Sequence, residues 1–161
     1  MRKSKTGIMP VQNVQEDNME AAVLLGLLGV CSFEDVRSRE IRSIIVLLGG
    51  VVGISFHVFN AKQSLLSVVG GLIVGILMLI LSIASGEKVG KGDAVLIMVT
   101  GIYLGFWQNL VLLWAAALMA GVYGFYNIFV HGKNFKSEIP FVPFLLVAYV
   151  CLLFMERGAL I

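Results

Sequence analysis

Charge is scarce in this chain. Asp, Glu, Lys and Arg make up 14% of the 161 residues, against roughly 25% in soluble globular proteins, so a compact fold has too little charge to cover a water-facing surface. The net charge of +2, with no basic run interleaved with aromatics, excludes a nucleic-acid partner. Three prolines exclude a Pro-rich or disordered class. The two histidines, His57 and His131, lie far apart, and no His/Cys/Asp cluster has metal-ligand spacing, so no metal site is expected. What the chain has in abundance is apolar: 58% hydrophobic residues and a mean hydropathy of +0.93. It reads as an integral membrane protein whose surroundings are the lipid bilayer.

The gaps between charges show where the chain can cross. A spanning helix needs about 20 apolar residues at a rise of 1.5 Å each. Uncharged stretches cover 43–61, 63–86, 94–132 and 139–155. The third, 39 residues long, would reach nearly 60 Å as one helix, about twice the bilayer core, and must fold back. Trp107-Gln108-Asn109, an interfacial aromatic followed by two turn-favouring amides, is the predicted break. Five segments result: about 43–60, 64–84, 93–106, 109–130 and 140–156. A shorter apolar stretch, Ala21–Phe33, is expected to be a first helix continuing into the charged Glu34–Arg42 segment. Acidic residues at 16, 17 and 20 separate it from the N-terminal basic residues, which argues against a cleaved signal. The predicted fold is all-α, a polytopic membrane helix bundle of about six transmembrane helices. Residues 1–18 form a tail with no readable function and 19–161 one membrane domain.

With six crossings, Arg37, Arg39, Arg42, Lys88, Lys91, Lys133 and Lys136 gather on one side. The positive-inside bias makes that side cytoplasmic, in a multi-pass plasma-membrane protein with both termini outside. Gly49/Gly53, Gly71/Gly75 and Gly101/Gly105 are small residues four apart, expected to be helix-packing faces. Tyr103, Trp107, Trp114, Tyr123 and Tyr126 read as interfacial anchors or packing. Cys31 and Cys151 differ in expected depth by about 16 Å, too far for a disulfide, and are expected to be free, buried thiols. No feature of the sequence specifies an oligomeric state.

An ionisable residue at membrane depth is a functional candidate. Asp35 ends helix one and Asp93 opens helix four. Two crossings lie between them, so both carboxylates reach one membrane face. Two facing carboxylates can share a proton; the ionised one can activate water while the protonated one polarises a peptide carbonyl. Each also has a plainer explanation: Asp35 an ion pair with Arg39 one helical turn on, Asp93 a helix N-cap. Gly90-Lys91-Gly92-Asp93 places two glycines before the acid, where they permit close approach of an extended substrate strand.

That Gly-x-Gly-Asp element resembles the intramembrane aspartic proteases named for it. Asp35-Val36-Arg37-Ser38-Arg39-Glu40-Ile41 looks like the first-aspartate segment of type IV prepilin peptidases. Ile139-Pro140-Phe141-Val142-Pro143-Phe144-Leu145 is similar to that family's start of its last helix. The resemblance implies Asp35 and Asp93 as the catalytic pair, with cleavage of the basic leader of prepilin or pseudopilin substrates at the cytoplasmic face and no cofactor. It also implies a peptidase-only form, since there is no Cys-x-x-Cys pair. Gly90 and Gly92 would border the substrate; Glu34 and Glu40 could meet leader Lys or Arg, against a plain reading as solvated interfacial charges. The chain departs from the common pattern at Arg42-Ser43, Val95 and Val142, which bears on substrate preference. Two rival readings stand beside this one: a small proton-coupled transporter using the two acids as relays, and an inactive family member acting in pilus assembly. A transporter would place its acids in mid-helix; these stand at helix ends.

Overall fold

The computed structural model describes residues 11–38, 41–60, 64–86, 90–131 and 140–158. Among these there are five helices and no strand: α1 (Val11–Ser38), α2 (Ser43–Asn60), α3 (Leu65–Ala84), α4 (Lys91–His131) and α5 (Val142–Gly158). No proline falls within residues 11–38, so nothing stops α1 from reaching back to Val11 beyond its apolar stretch. Ser64 caps α3, its Oγ accepting the Ser67 N–H at 3.2 Å. The same helix ends at Ser85-Gly86, where Gly86 takes a left-handed φ of 68°, the usual glycine stop.

The apolar stretch 94–132 does fold back, but not where the amides suggested. Within α4, Gly105 alone has non-helical backbone, with φ 71° and ψ −170°, a region open essentially to glycine. Asn109 shows how sharp the reversal is. Its Nδ2 donates to Ile97 O at 3.1 Å, whereas twelve residues of straight helix would separate the two by about 18 Å. Residues 91–104 and 106–131 are therefore two arms folded against each other. Trp107 is exposed, as an interfacial residue would be, while Asn109 lies one turn inside the second arm and almost fully buried. The turn needed a left-handed residue, and among residues 104–109 only Gly105 supplies one at no steric cost.

Asn109 also ties three segments together. It donates to Gly71 O of α3 at 3.3 Å, and its Oδ1 accepts from Thr100 Oγ1 at 2.7 Å. Both amide protons and the carbonyl are thus satisfied inside apolar surroundings, as a buried amide requires. Beside it the backbones of α3 and α4 touch. A Cβ on Gly71 would collide with the Gly101 carbonyl oxygen, and one on Gly75 with Met98. In α2, a Cβ on Gly49 would lie 2.5 Å from Leu27 Cδ2 and one on Gly53 2.6 Å from the Tyr103 ring. Tyr103 donates its hydroxyl proton to Gly49 O at 2.7 Å, so it is a packing residue. Five of the six paired glycines are contact faces as expected; Gly105 instead makes the bend.

The core is formed by Leu24, Leu28 and Cys31 of α1, Val46 of α2, Leu96 and Leu112 of the two α4 arms, and Leu145 and Tyr149 of α5. α1 and α5 run antiparallel: Tyr149 reaches Ala21 O at one end, and Val142 meets Asp35 at the other. Cys31 and Cys151 are free, as expected, but Cys151 is exposed: it lies on the side of α5 away from Tyr149, which enters the core.

Leu65–Ala84 and Lys91–Val130 are long and apolar enough to cross a bilayer. Ser43–Val58 and Val142–Met155 are shorter apolar helices. Large apolar side chains remain exposed along them, among them Ile44, Leu47, Val51, Leu66 and Phe129.

Replacing Gly105 by alanine should lower unfolding stability in detergent by about 1–3 kcal/mol, the usual cost of a side chain in that backbone region. Gly26→Ala, in the middle of α1 with nothing within 4 Å of the added Cβ, should leave stability unchanged or raise it slightly. Thermal unfolding followed by circular dichroism compares the two.

Candidate active site

Both sequence-predicted aspartates stand at the same end of the bundle. Asp35 lies one turn from the end of α1, beyond the uncharged 21–33 stretch, and Asp93 is the third residue of α4. The helix begins at Lys91, and Ala94 N–H bonds to Gly90 O at 3.3 Å, so Gly90 rather than Asp93 occupies the cap position. An aspartate in the first turn is still well placed, because it faces the positive end of the helix dipole.

Three segments converge here. Ile41, just after α1, rests against the start of α4: a Cβ on Gly92 would stand 3.2 Å from Ile41 Cβ. A Cβ on Gly90 would stand 2.9 Å from Asp93 Oδ2. The two glycines therefore leave space that any larger residue would take, one beside Ile41 and the other beside the Asp93 carboxylate. The third segment is the start of α5. Val142 N–H donates to Asp35 Oδ2 at 2.9 Å across 107 positions of sequence, and the neighbouring Phe141 amide acts in the same sense on that carboxylate. Asp35 and Asp93 lie near enough for the charge of one to act on the other.

Burial pushes the Asp35 carboxyl above the ordinary carboxylate range, and the bonds from Val142 and Phe141 act in the opposite sense. The two effects have separate causes: loss of water disfavours the charged form, and an N–H donor favours it.

Glu34 is engaged locally. Its Oε2 accepts the Arg42 backbone N–H at 3.2 Å, and Oε1 lies 3.5 Å from Arg42 Nε. It braces the link between α1 and α2, and with it the position of Ile41. Glu40 and Arg39, the latter the suggested ion-pair partner of Asp35, lie outside the described residues, as do Lys88 and Ile139. Pro140 precedes α5 rather than opening it; Pro143, the second residue of the helix, is the proline in the first turn. No group of three or more His, Cys, Asp or Glu residues able to hold a metal is found among the described residues.

Two contributors were not anticipated from sequence. The Phe141 and Val142 amides are backbone groups and carry no side-chain signature. Their clue was Pro143, which removes the next N–H and leaves an acceptor at this helix end only the first two donors.

Residues 22–125 match the model of the type IV leader peptidase family. That span covers more than half of the chain and takes in both aspartates. The chain belongs to the type IV leader peptidase family. No curated protein and no solved structure matches it. The matched region of this leader peptidase family member stops short of α5, so the Asp35–Val142 bond joins a residue inside the family match to one beyond it.

The convergence has a direct geometric test. Cysteines at 41 and 92 should form a disulfide on mild oxidation, because the two Cβ positions are close to the usual separation in cystine, about 3.5–4.5 Å. Phe33→Cys, on an exposed face of α1, should not pair with Gly92→Cys. Mass spectrometry of the oxidised proteins, with Cys31 and Cys151 replaced by serine, reads the difference.

Proposed function

We propose that this leader peptidase family member is a multi-pass membrane aspartic endopeptidase that removes the basic leader of type IV prepilin-like or pseudopilin substrates at the cytoplasmic face. The observation carrying this reading is the placement of Asp35 and Asp93, from α1 and α4, at one end of the bundle beside the Gly-x-Gly element, near enough for one charge to act on the other.

The bilayer supplies the setting. Exposed Ile, Leu, Val and Phe along α2, α3 and α4 form far more apolar surface than a soluble monomer shows, and lipid would cover it. Counting the arms of α4 separately, six helical segments cross, with the aspartate end toward the cytoplasm by the distribution of Lys and Arg.

The chemistry follows from two acids that share one proton. The ionised carboxylate takes a proton from water as the oxygen attacks the scissile carbonyl carbon, while the protonated one gives its proton to the carbonyl oxygen. When the tetrahedral diol collapses, the C–N bond breaks, the leaving amine receives the proton taken from water, and one hydroxyl of the new carboxyl group returns its proton to the second carboxylate. Gly90 and Gly92 keep side chains out of the path of an extended substrate strand. Glu34 is engaged by Arg42, so on this reading Glu40 is the acid left to attract the basic leader. No cofactor is needed for any step.

Asp35→Asn and Asp93→Asn should each abolish leader removal from a co-expressed prepilin-like substrate, by at least a hundredfold, while leaving the helical circular dichroism spectrum intact. Cleavage by either variant at the parent rate would reject the assigned pair. Purified protein cutting a leader peptide in detergent would separate a peptidase from a transporter.

A further inference from the structure

The two carboxylates are not equivalent. α5 begins with no capping side chain of its own, for Phe141 occupies the cap position and offers only its carbonyl, which accepts from Phe144 at 3.0 Å and Leu145 at 3.2 Å. The second helical residue is Pro143, which has no N–H. The donors left at this end are the amides of Phe141 and Val142; the Val142 N–H bonds to Asp35 Oδ2 at 2.9 Å, and the Phe141 amide favours the same charge. Val142 is fully buried, so water does not compete for its N–H. An acid from α1 thus acts as the cap of α5, where the helix dipole also favours negative charge.

We propose that the start of α5, through the Val142 N–H with Pro143 behind it, is the positioning element that keeps Asp35 ionised and aimed, making Asp35 the water-activating base and Asp93 the carrier of the shared proton. This rests on the reading of Asp35 and Asp93 as the reacting pair. Proximity of like charges allows only one of the two to ionise readily. Donors to one partner decide which. Asp35 has the Val142 N–H, a buried backbone donor that favours its charged form.

Among the described residues, the other charged groups near Asp35 do not reverse this order. On α1, Glu34 is occupied by Arg42 of the following link, and Cys31 is a buried thiol. On α4 the neighbour is Asp93 itself. α5 contributes no acidic or basic side chain from Pro140 to Met155. The remaining influence from the start of α5 is the Val142 amide, with that of Phe141 just before it.

Val142→Pro removes the donor at a helix position where proline is well tolerated, whereas Val142→Ala keeps the N–H and loses only packing. An N–H bond to the ionised form lowers a carboxyl pKa, so its loss must raise that pKa. In the Asp93→Asn background, infrared titration of ¹³C-labelled aspartate should show the Asp35 midpoint moved up by about one pH unit in Val142→Pro and not moved in Val142→Ala. The spectrum of the Asp35→Asn, Asp93→Asn protein is subtracted to remove Asp17, the other aspartate. In the enzyme with Asp93 intact, the acid limb of kcat should move up by the same amount in Val142→Pro only. Replacing Val142 by its α-hydroxy acid, which turns the amide into an ester and keeps the side chain, should reproduce the shift even if the proline variant does not fold. Coincident Asp35 titrations in the parent, alanine and ester proteins would overturn the proposal, whether or not Asp35→Asn abolishes cleavage. If instead both Asn variants still cleave, the catalytic pair is wrong while the titration still reports on the Val142–Asp35 bond.

Discussion

Asp35 accepts the Val142 N–H at the edge of an otherwise apolar bundle, and this one bond closes the fold. A carboxylate in such a place must find donors or lose its charge, because removal from water costs several kcal/mol unless hydrogen bonds replace it. The first helix of the described chain therefore binds the start of the last. α5 is held against α1, Leu145 and Tyr149 enter the core, and the segment carrying Phe141 and Val142 is placed beside the two acids. The same contact thus serves stability and site geometry, and neither helix meets the requirement alone.

The opposite end of the molecule is held by a different device. There Gly105 turns the chain and Asn109 fastens the turn to Ile97, Thr100 and Gly71. Glycines at 71 and 101 let the backbones approach closely enough for a side-chain amide to reach a main-chain carbonyl of the neighbouring helix. Without a hydrophobic driving force between helices in lipid, close packing and such polar bonds are what hold them together. The rigid end matters to the site because it fixes where the first arm of α4 starts, and with it Asp93.

Much of this was legible in the residues. The limits of α2 and α3 match the uncharged stretches closely, because charge is what an apolar helix must exclude. That Asp35 and Asp93 stand at the same end of the bundle follows from parity: two helices, α2 and α3, separate them. The glycine pairs at 49/53 and 71/75 marked real contacts, since only small residues let helices approach so closely. The reversal near residue 105 was expected from length alone, but its position was misjudged. Trp107-Gln108-Asn109 has turn-favouring composition, yet Asn109 is used as a buried cross-link, and its partners in α3 and the first α4 arm are not neighbours in sequence.

Composition and the spacing of charge by themselves determined an all-helical chain, its apolar segments and the two acids worth attention, because burial of backbone and exclusion of charge act locally along each helix. Tertiary structure alone decided that Gly105 rather than the amides makes the bend, that Gly90 caps α4, that Cys151 faces outward, and that the first backbone amide of α5 serves Asp35. Each of those depends on which surfaces meet in three dimensions, and a hydrogen bond spanning 107 positions leaves no periodic trace in the residues between.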